Sequence, residues 1–345
     1  MADLVDLGLR FDLTIPLARY FANNEAKLPV PFRALQTGPV WRAERPQKGR
    51  YRQFVQCDID IIGEPSVLAE IELISATSFA LRGLGIDEGT IKISDRRLLL
   101  SIARHSEIVS DSYGAFFVAL DKLDRVGWDG VREELAKRAI SASSIDRVVE
   151  ITSQLANAPV EDLPVLASKF LPSLDKKVVD DLCLTILMSE NSGELGNMKI
   201  VFDPALARGM GYYTGQIFEI KTDKSDSSIA GGGRYDDLIG GFKGKPVPAC
   251  GFSIGFERIL ELLGDIESQE GLALLFDNEV DVETLMTTAA QFRHAGYDVS
   301  VIRRSGSIKA QTERLAQWRF AAFVYFQAGK ESEGLPSVQT LSVKK

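Results

Sequence analysis

The stretch from Thr37 to Gly63, TGPVWRAERPQKGRYRQFVQCDIDIIG, constrains the fold more than any other part of the chain. Between Arg42 and Arg52 it carries Arg42, Arg45, Lys48, Arg50 and Arg52 against one acidic residue, Glu44, in a protein of net charge −8. Pro46 and Gly49 interrupt any helix or strand there, so the spacing predicts a loop joining two extended segments, residues 36–42 and 52–62. The reading is a hairpin with a cationic tip, and such a tip in an acidic chain calls for a polyanion.

The second segment alternates strictly, and side chains two apart on a strand share a face. Phe54, Gln56, Asp58 and Asp60 face one way, while Val55, Cys57, Ile59 and Ile61 face the other as an ordinary core face. Two carboxylates, an amide and a ring on one face suit either a solvated surface or the floor of a polar pocket. Beside an arginine-rich loop, that face has the groups a bound nucleotide and a small polar substrate need.

Composition removes several classes of chemistry. Only His105 and His294 are histidines, too few for a histidine metal cage or a serine–histidine triad, so catalysis must rest on arginines, carboxylates and tyrosines. Cys57, Cys183 and Cys250 are odd in number and far apart, which argues against a disulfide framework or zinc site and for small buried hydrophobes. No apolar run approaches the roughly 20 residues of a membrane span, and the N-terminus has no signal-peptide pattern, so a cytoplasmic protein is expected. At 345 residues the chain has room for two or three domains.

Along the chain, LRFDLTIPLARY (9–20) places Asp12 and Thr14 two apart, and Thr14 is in position to cap a helix with Pro16 in its first turn. A helix over 66–83 follows, with Leu68, Ile71, Leu73, Ile74 and Phe79 as expected core positions, then a strand over 90–94. Residues 98–192 read as helical throughout, with 121–135 as one piece. Strand signals return at 198–202, followed by RGMGYYTGQIFEI (208–220). There the glycines beside Arg208 let the backbone approach a ligand, and Tyr212 and Tyr213 carry hydroxyls that need partners. Residues 229–260 read as a glycine-rich turn, a strand ending at Ile254 and a helix opening at Gly255. Arg234 and Tyr235 stand where a dinucleotide-binding helix would begin with apolar residues, so that assignment is weak. After DIESQE (265–270) the alternation of strands and helices predicts a small parallel-sheet domain. Arg303, Arg304, Lys309, Arg314 and Arg319 outweigh Glu313 there, a pattern that also suits a solvated helix face.

R-x-E-R-P-Q-K-G-R-Y-R-Q-F-x-Q, standing as Arg42 to Gln56, resembles the second signature motif of class II aminoacyl-tRNA synthetases in the form used by histidyl-tRNA synthetases. L-R-F-D-L-T (9–14) is similar to the family's loop that grips the histidine α-amino group, Arg208 to Tyr213 to its histidine motif, and Gly251 to Arg258 to the third class II motif. One departure is Gly211, where the family usually has Asp.

The resemblance implies an α+β fold: a class II synthetase-type antiparallel sheet core with a helical insertion, plus a small C-terminal α/β domain. The implied domains are core residues 1–97 and 193–264, an insertion over 98–192, a linker over 265–270, and an anticodon-binding-like domain over 271–345. It implies a histidine–tRNA ligase that uses ATP and Mg2+ to make histidyl-adenylate and then charges tRNA(His). Asp12, Leu13, Thr14, Arg42, Gln56, Asp60, Arg208, Tyr212 and Tyr213 would bind histidine. Arg42, Glu44, Arg50, Phe54 and Arg258 would bind ATP, and Arg42 and Arg208 would be catalytic. The insertion reads equally as a helical spacer or as a tRNA-acceptor clamp.

Family members begin with a segment bearing the first class II motif, which builds a homodimer interface. Met1 stands nine residues before Arg10, so the sequence as written does not include that motif, whether through a misassigned start, a fragment or a loss, and the family's homodimer is in question for this chain. Two other readings stay open: a non-catalytic synthetase-like regulatory subunit of ATP phosphoribosyltransferase, and a paralogue that activates an amino acid for a carrier other than tRNA.

Overall fold

The computed structural model describes residues 7–43, 45, 51–208, 211–225, 227–264, 271–277, 280–326 and 335–341. Residues up to Gly264 form one compact unit and Asp265–Lys345 a second.

The predicted hairpin is present as β1 (Phe32–Trp41) and β2 (Gln53–Ile62), paired antiparallel from Phe32 opposite Ile62 to Trp41 opposite Gln53. Before it lies α1 (Thr14–Asn24), and after it α2 (Leu68–Gly83) and β3 (Thr90–Asp95). Six helices follow: α3 (Arg96–His105), α4 (Tyr113–Leu120), α5 (Leu123–Lys137), α6 (Ala142–Ala156), α7 (Leu163–Phe170) and α8 (Lys176–Asn191). The chain then returns through β4 (Lys199–Phe202), β5 (Gln216–Lys221), β6 (Ala230–Arg234), α9 (Asp236–Lys243), β7 (Ala249–Gly255) and α10 (Phe256–Leu263). The strands make one sheet in the order β1-β2-β7-β6-β5-β3-β4, antiparallel at every step except β3–β4.

Several local expectations are corrected. Thr14 is the first residue of α1 rather than its cap, because Asp12 Oδ1 takes the Ile15 N–H at 3.0 Å. On α2, Leu68 and Phe79 face solvent, and the buried stripe is Glu70, Leu73, Ile74, Thr77 and Leu81. Glu70 faces inward because Arg234 of β6 grips both its oxygens at 2.6 Å and also bonds the Ser66 carbonyl at 2.8 Å. Breaking such a buried pair costs about 3–5 kcal/mol, since it strands a charge. The expected single piece over 121–135 is broken at Gly127 (φ 65°, ψ 178°), which leaves one helical turn on its N-terminal side.

The glycine-rich turn is in fact β6, a fully buried central strand. A Cβ on Gly232 would strike the Gly251 carbonyl of β7, so glycine lets the two strands close up. Cys183 and Cys250 are buried as expected, but Cys57 is only half-buried on the β2 face with Val55 and Ile59.

The second unit has β8 (Gly271–Phe276), α11 (Val282–His294), β9 (Asp298–Arg303), α12 (Ile308–Gln317), β10 (Ala322–Phe326) and β11 (Gln339–Thr340). β10, β8 and β9 are parallel, with β11 antiparallel at the edge. Of its basic residues, Arg304 pairs with Asp277 at 2.5 Å and Arg303 lies over the Phe276 ring, so part of that charge serves the unit itself. The 265–270 segment lies outside the described residues. No helix among the described residues is long and apolar enough to cross a membrane.

Candidate active site

Residues directly opposite on paired strands share a face, so the register defines what lies on the floor of the sheet. One row runs Gln36, Asp58, Ser253, Gly231, Glu219, Lys92 across β1, β2, β7, β6, β5 and β3. A second runs Asp60, Gly251, Gly233, Ile217, Ser94. Long polar chains stand on the outer strands, while β6 and β7 contribute glycine and serine. The result is a trough with polar flanks.

A cavity of about 180 Å³ opens over this trough. Asp12, Thr14, Arg42, Phe54, Gln56, Asp60, Arg208, Tyr212, Tyr213 and Arg258 all line it, although they span nearly 250 positions of sequence. Leu13 does not; its side chain is buried, and its carbonyl accepts from the Gln36 amide at 3.4 Å. Glu44 and Arg50 lie outside the described residues.

The polar β2 face is the more deeply buried one, which decides between solvated surface and pocket floor: Gln56, Asp58 and Asp60 are 7%, 3% and 2% exposed. Burial pushes Asp58 up to about 6, with the charge of Asp12 adding and a Ser253 hydrogen bond and Arg42 opposing. Burial pushes Asp60 up to about 7, against the Tyr235 hydrogen bond and reinforced by Asp58 and Asp12. Asp12 is raised by burial too, despite the Ile15 amide and Arg42.

Four buried polar atoms of residues that line the cavity have no hydrogen bond of normal geometry among the described residues: Asp12 Oδ2, Gln56 Oε1, Asp60 Oδ2 and Arg208 Nε. The Gln36 amide alongside Asp60 adds only a weak attraction. Buried polar groups are normally paired, so three acceptors and a donor facing one cavity are the imprint of a polar ligand rich in N–H groups.

The arginines are set by different devices. Arg42, just past β1, lies between two rings, 4.5 Å from the Phe11 centroid and 4.9 Å from Phe54, with Nε donating to the Phe11 carbonyl at 3.3 Å. This ties it to the loop that carries Asp12. Arg208 lies over Gly231, where any Cβ would run into its guanidinium, and its Nη1 donates to Glu219 at 3.3 Å. Arg258, in the first turn of α10, donates to the Ser228 carbonyl at 2.5 Å, and its neighbour Glu257 anchors the helix to β2 by accepting the Val55 N–H at 2.8 Å.

Sequence reading missed four contributors. Tyr235, 2% exposed, donates to Asp60 Oδ1 at 2.6 Å and so leaves Oδ2 for a ligand. Ser253 accepts from Gln56 Nε2 at 2.7 Å. Asp58 was placed on the correct face but given no role, and Glu219 was not singled out. Tyr212 packs edge-on to both Tyr213 and Tyr235, with ring centroids 5.0 and 6.0 Å away, and burial raises all three phenols so that they stay protonated donors.

The histidyl-tRNA synthetase family model matches residues 4–259. The histidine–tRNA ligase of Leifsonia xyli subsp. xyli is 44% identical over 330 residues, covering 94% of this chain and 76% of that protein. The solved histidyl-tRNA synthetase of Nostoc sp. PCC 7120 superposes with a TM-score of 0.74 at 25% identity, over 92% of this chain and 76% of that one. A Bacillus halodurans structure described as an ATP phosphoribosyltransferase regulatory subunit/histidyl-tRNA synthetase shares the fold, with a TM-score of 0.69 at 22% identity over 92% and 79% of the two chains.

Proposed function

The chain belongs to the histidyl-tRNA synthetase family, and from that premise we propose that its cavity activates histidine with ATP and passes the histidyl group to tRNA(His). The observation that carries this reading is the set of unpartnered acceptors, Asp12 Oδ2, Gln56 Oε1 and Asp60 Oδ2, on one buried wall. Histidine offers that wall an α-ammonium and an imidazole N–H. Asp12 and Thr14 take the ammonium; Asp60 accepts the ring N–H, and a hydroxyl of Tyr212 or Tyr213 donates to the other ring nitrogen.

In the first step a histidine carboxylate oxygen bonds to the ATP α-phosphorus while the bond to the bridging oxygen breaks and pyrophosphate leaves. In the second a ribose hydroxyl of the tRNA attacks the acyl carbon, the bond from that carbon to the phosphate oxygen breaks, and AMP and the hydroxyl proton leave. Alignment and charge neutralisation supply most of the rate in such transfers. Arg42 orients the carboxylate against the α-phosphate, and Arg208 stabilises the charge that grows there. Arg258, with Arg50, holds the outer phosphates; Phe54 stacks on adenine, and Glu44 reads its edge. Mg2+ would enter as the companion of the ATP phosphates, a hard cation that keeps several of its own waters and needs only one or two protein oxygens.

Histidine-dependent exchange of pyrophosphate into ATP tests the first step, with the other standard amino acids as controls. Histidine alone should support exchange, because a pocket of buried acceptors rejects apolar analogues by about 10⁴ or more. No exchange with any amino acid would return the reading to a regulatory subunit, and exchange without charging of purified tRNA would point to another carrier. Translation puts the protein in the cytoplasm. The family's homodimer is tested separately by sedimentation of the purified chain.

A further inference from the structure

We propose that the first turn of α5, outside the catalytic sheet, positions Arg208 through a chain of ionic contacts running Asp124, Lys221, Glu219. This rests on the proposed role of Arg208 at the α-phosphate.

Glu219 and Lys221 are two apart on β5 and so share the trough face, with Lys92 of β3 directly opposite Glu219. Glu219 is shared: Oε2 accepts from Arg208 Nη1 at 3.3 Å, and Oε1 lies 3.4 Å from Lys221 Nζ. Lys221 is shared in turn, since its ammonium also bonds the Asp124 carboxylate. Asp124 is braced from the other side by Lys92 at 3.1 Å, which holds Asp203 at 3.0 Å. Two cations and two carboxylates thus alternate from the cavity to α5, and Lys92 and Asp203 continue the alternation beyond it. Asp121, just before that helix, feels both Arg208 and Glu219.

The break at Gly127 gives the chain a mechanical sense. The turn holding Asp124 is fastened to β3 and β5, while the longer part of α5 beyond Gly127 belongs to the helical region. Removing the Asp124 charge leaves Lys221 with Glu219 as its one ion-pair partner among the described residues. The ammonium then draws Glu219 away from the guanidinium, and Arg208 loses the contact that holds it over Gly231. Asp124 is therefore a positioning residue, acting on the reacting phosphate only through Arg208.

The test is a double-mutant cycle on the full chain, read as histidine-dependent pyrophosphate exchange. Asp124→Asn should lower kcat about 5- to 10-fold, with KM for histidine and ATP within about twofold, as for loss of coupling along a contact network. Adding Lys221→Met to Asp124→Asn, which removes the ammonium that would draw Glu219 off, should restore most of that loss. In an Arg208→Ala background, Asp124→Asn should change the residual rate less than about twofold. Lys177→Met, which breaks an exposed pair with Asp181 on α8, should exchange like the parent. Full activity of Asp124→Asn, or an equal fold-loss with and without Arg208, would overturn the proposal. A parent protein inactive with histidine would instead sink the function on which the proposal rests.

Discussion

On one flank of the glycine trough, Asp58 and Asp60 stand 3% and 2% exposed with Asp12 close by, and two of the three keep an oxygen without a partner among the described residues. On the other flank, Glu219, Lys221, Lys92 and Asp124 form a continuous run of opposite charges. Both flanks hold charge in a partly dry setting, but the first raises its carboxyls by burial and the second keeps Asp124 low through Lys221 and Lys92 despite partial burial. On the proposed reading the contrast separates two jobs: unmet polar groups wait for a ligand, and satisfied ones hold a catalytic group still.

The largest effect expected lies between the flanks. Arg42→Ala and Arg208→Ala should each lower histidine-dependent exchange by about two or more orders of magnitude, as for loss of a charge-stabilising group in a closed site, with an unchanged circular dichroism spectrum. Parent-level exchange in either variant would mean the flanks do not converge on the reacting phosphate.

Next comes a test of the acidic flank as a ligand wall. Asp60→Ala should raise KM for histidine about 10- to 100-fold and leave KM for ATP nearly unchanged. Equal loss for both substrates would remove Asp60 from the imidazole pocket and weaken the distinction drawn here.

A smaller effect should appear in stability, with opposite sign on the two flanks. Asp58 and Asp60 have folded values of about 6 and about 7 against an ordinary 3.8, so the folded protein binds their protons more tightly than the unfolded chain does. Their contribution is full below about pH 4 and is lost as pH rises through about 6 to 7. Asp58→Asn should therefore raise the melting temperature of the ligand-free protein at pH 7.5 by a few degrees and flatten its decline from pH 5 to 8. Asp124, whose value is lowered, contributes above its ordinary range, so Asp124→Asn should lower the melting temperature at the same pH. Shifts of the same sign in both variants would erase the comparison.

The smallest effect expected is that of Tyr235→Phe, which removes the hydroxyl on Asp60 Oδ1 and leaves the cavity shape intact. It should raise KM for histidine about 3- to 10-fold, the worth of one ordinary hydrogen bond.

Much of this was legible in sequence because it is local. The hairpin, its alternating face and the strand–helix order of the second unit follow from patterns a few residues long, and the structure reproduces them. What failed was set by distant neighbours. The run Ala230 to Arg234 has no alternation and little strand propensity, yet it is a strand because glycine alone fits between β7 and the Arg208 side chain. Glu70 turned inward because of Arg234, 164 positions away. Tyr235 gained its role from Asp60, 175 positions away. No window of sequence contains those pairs.

The ladder that joins β1 to β2 has a consequence for how the protein comes to be active. Side chains on a strand repeat every two residues, so a slip of one position in the pairing that sets Phe32 opposite Ile62 would turn Gln56, Asp58 and Asp60 outward and Val55, Cys57 and Ile59 into the trough. Such a chain would keep nearly all its backbone hydrogen bonds and, on the proposed assignment of these residues, bind no histidine. Catalytic competence is thus a parity condition on strand pairing. A spectroscopic measure of secondary structure would pass molecules that fail it, and substrate binding alone would count those correctly threaded.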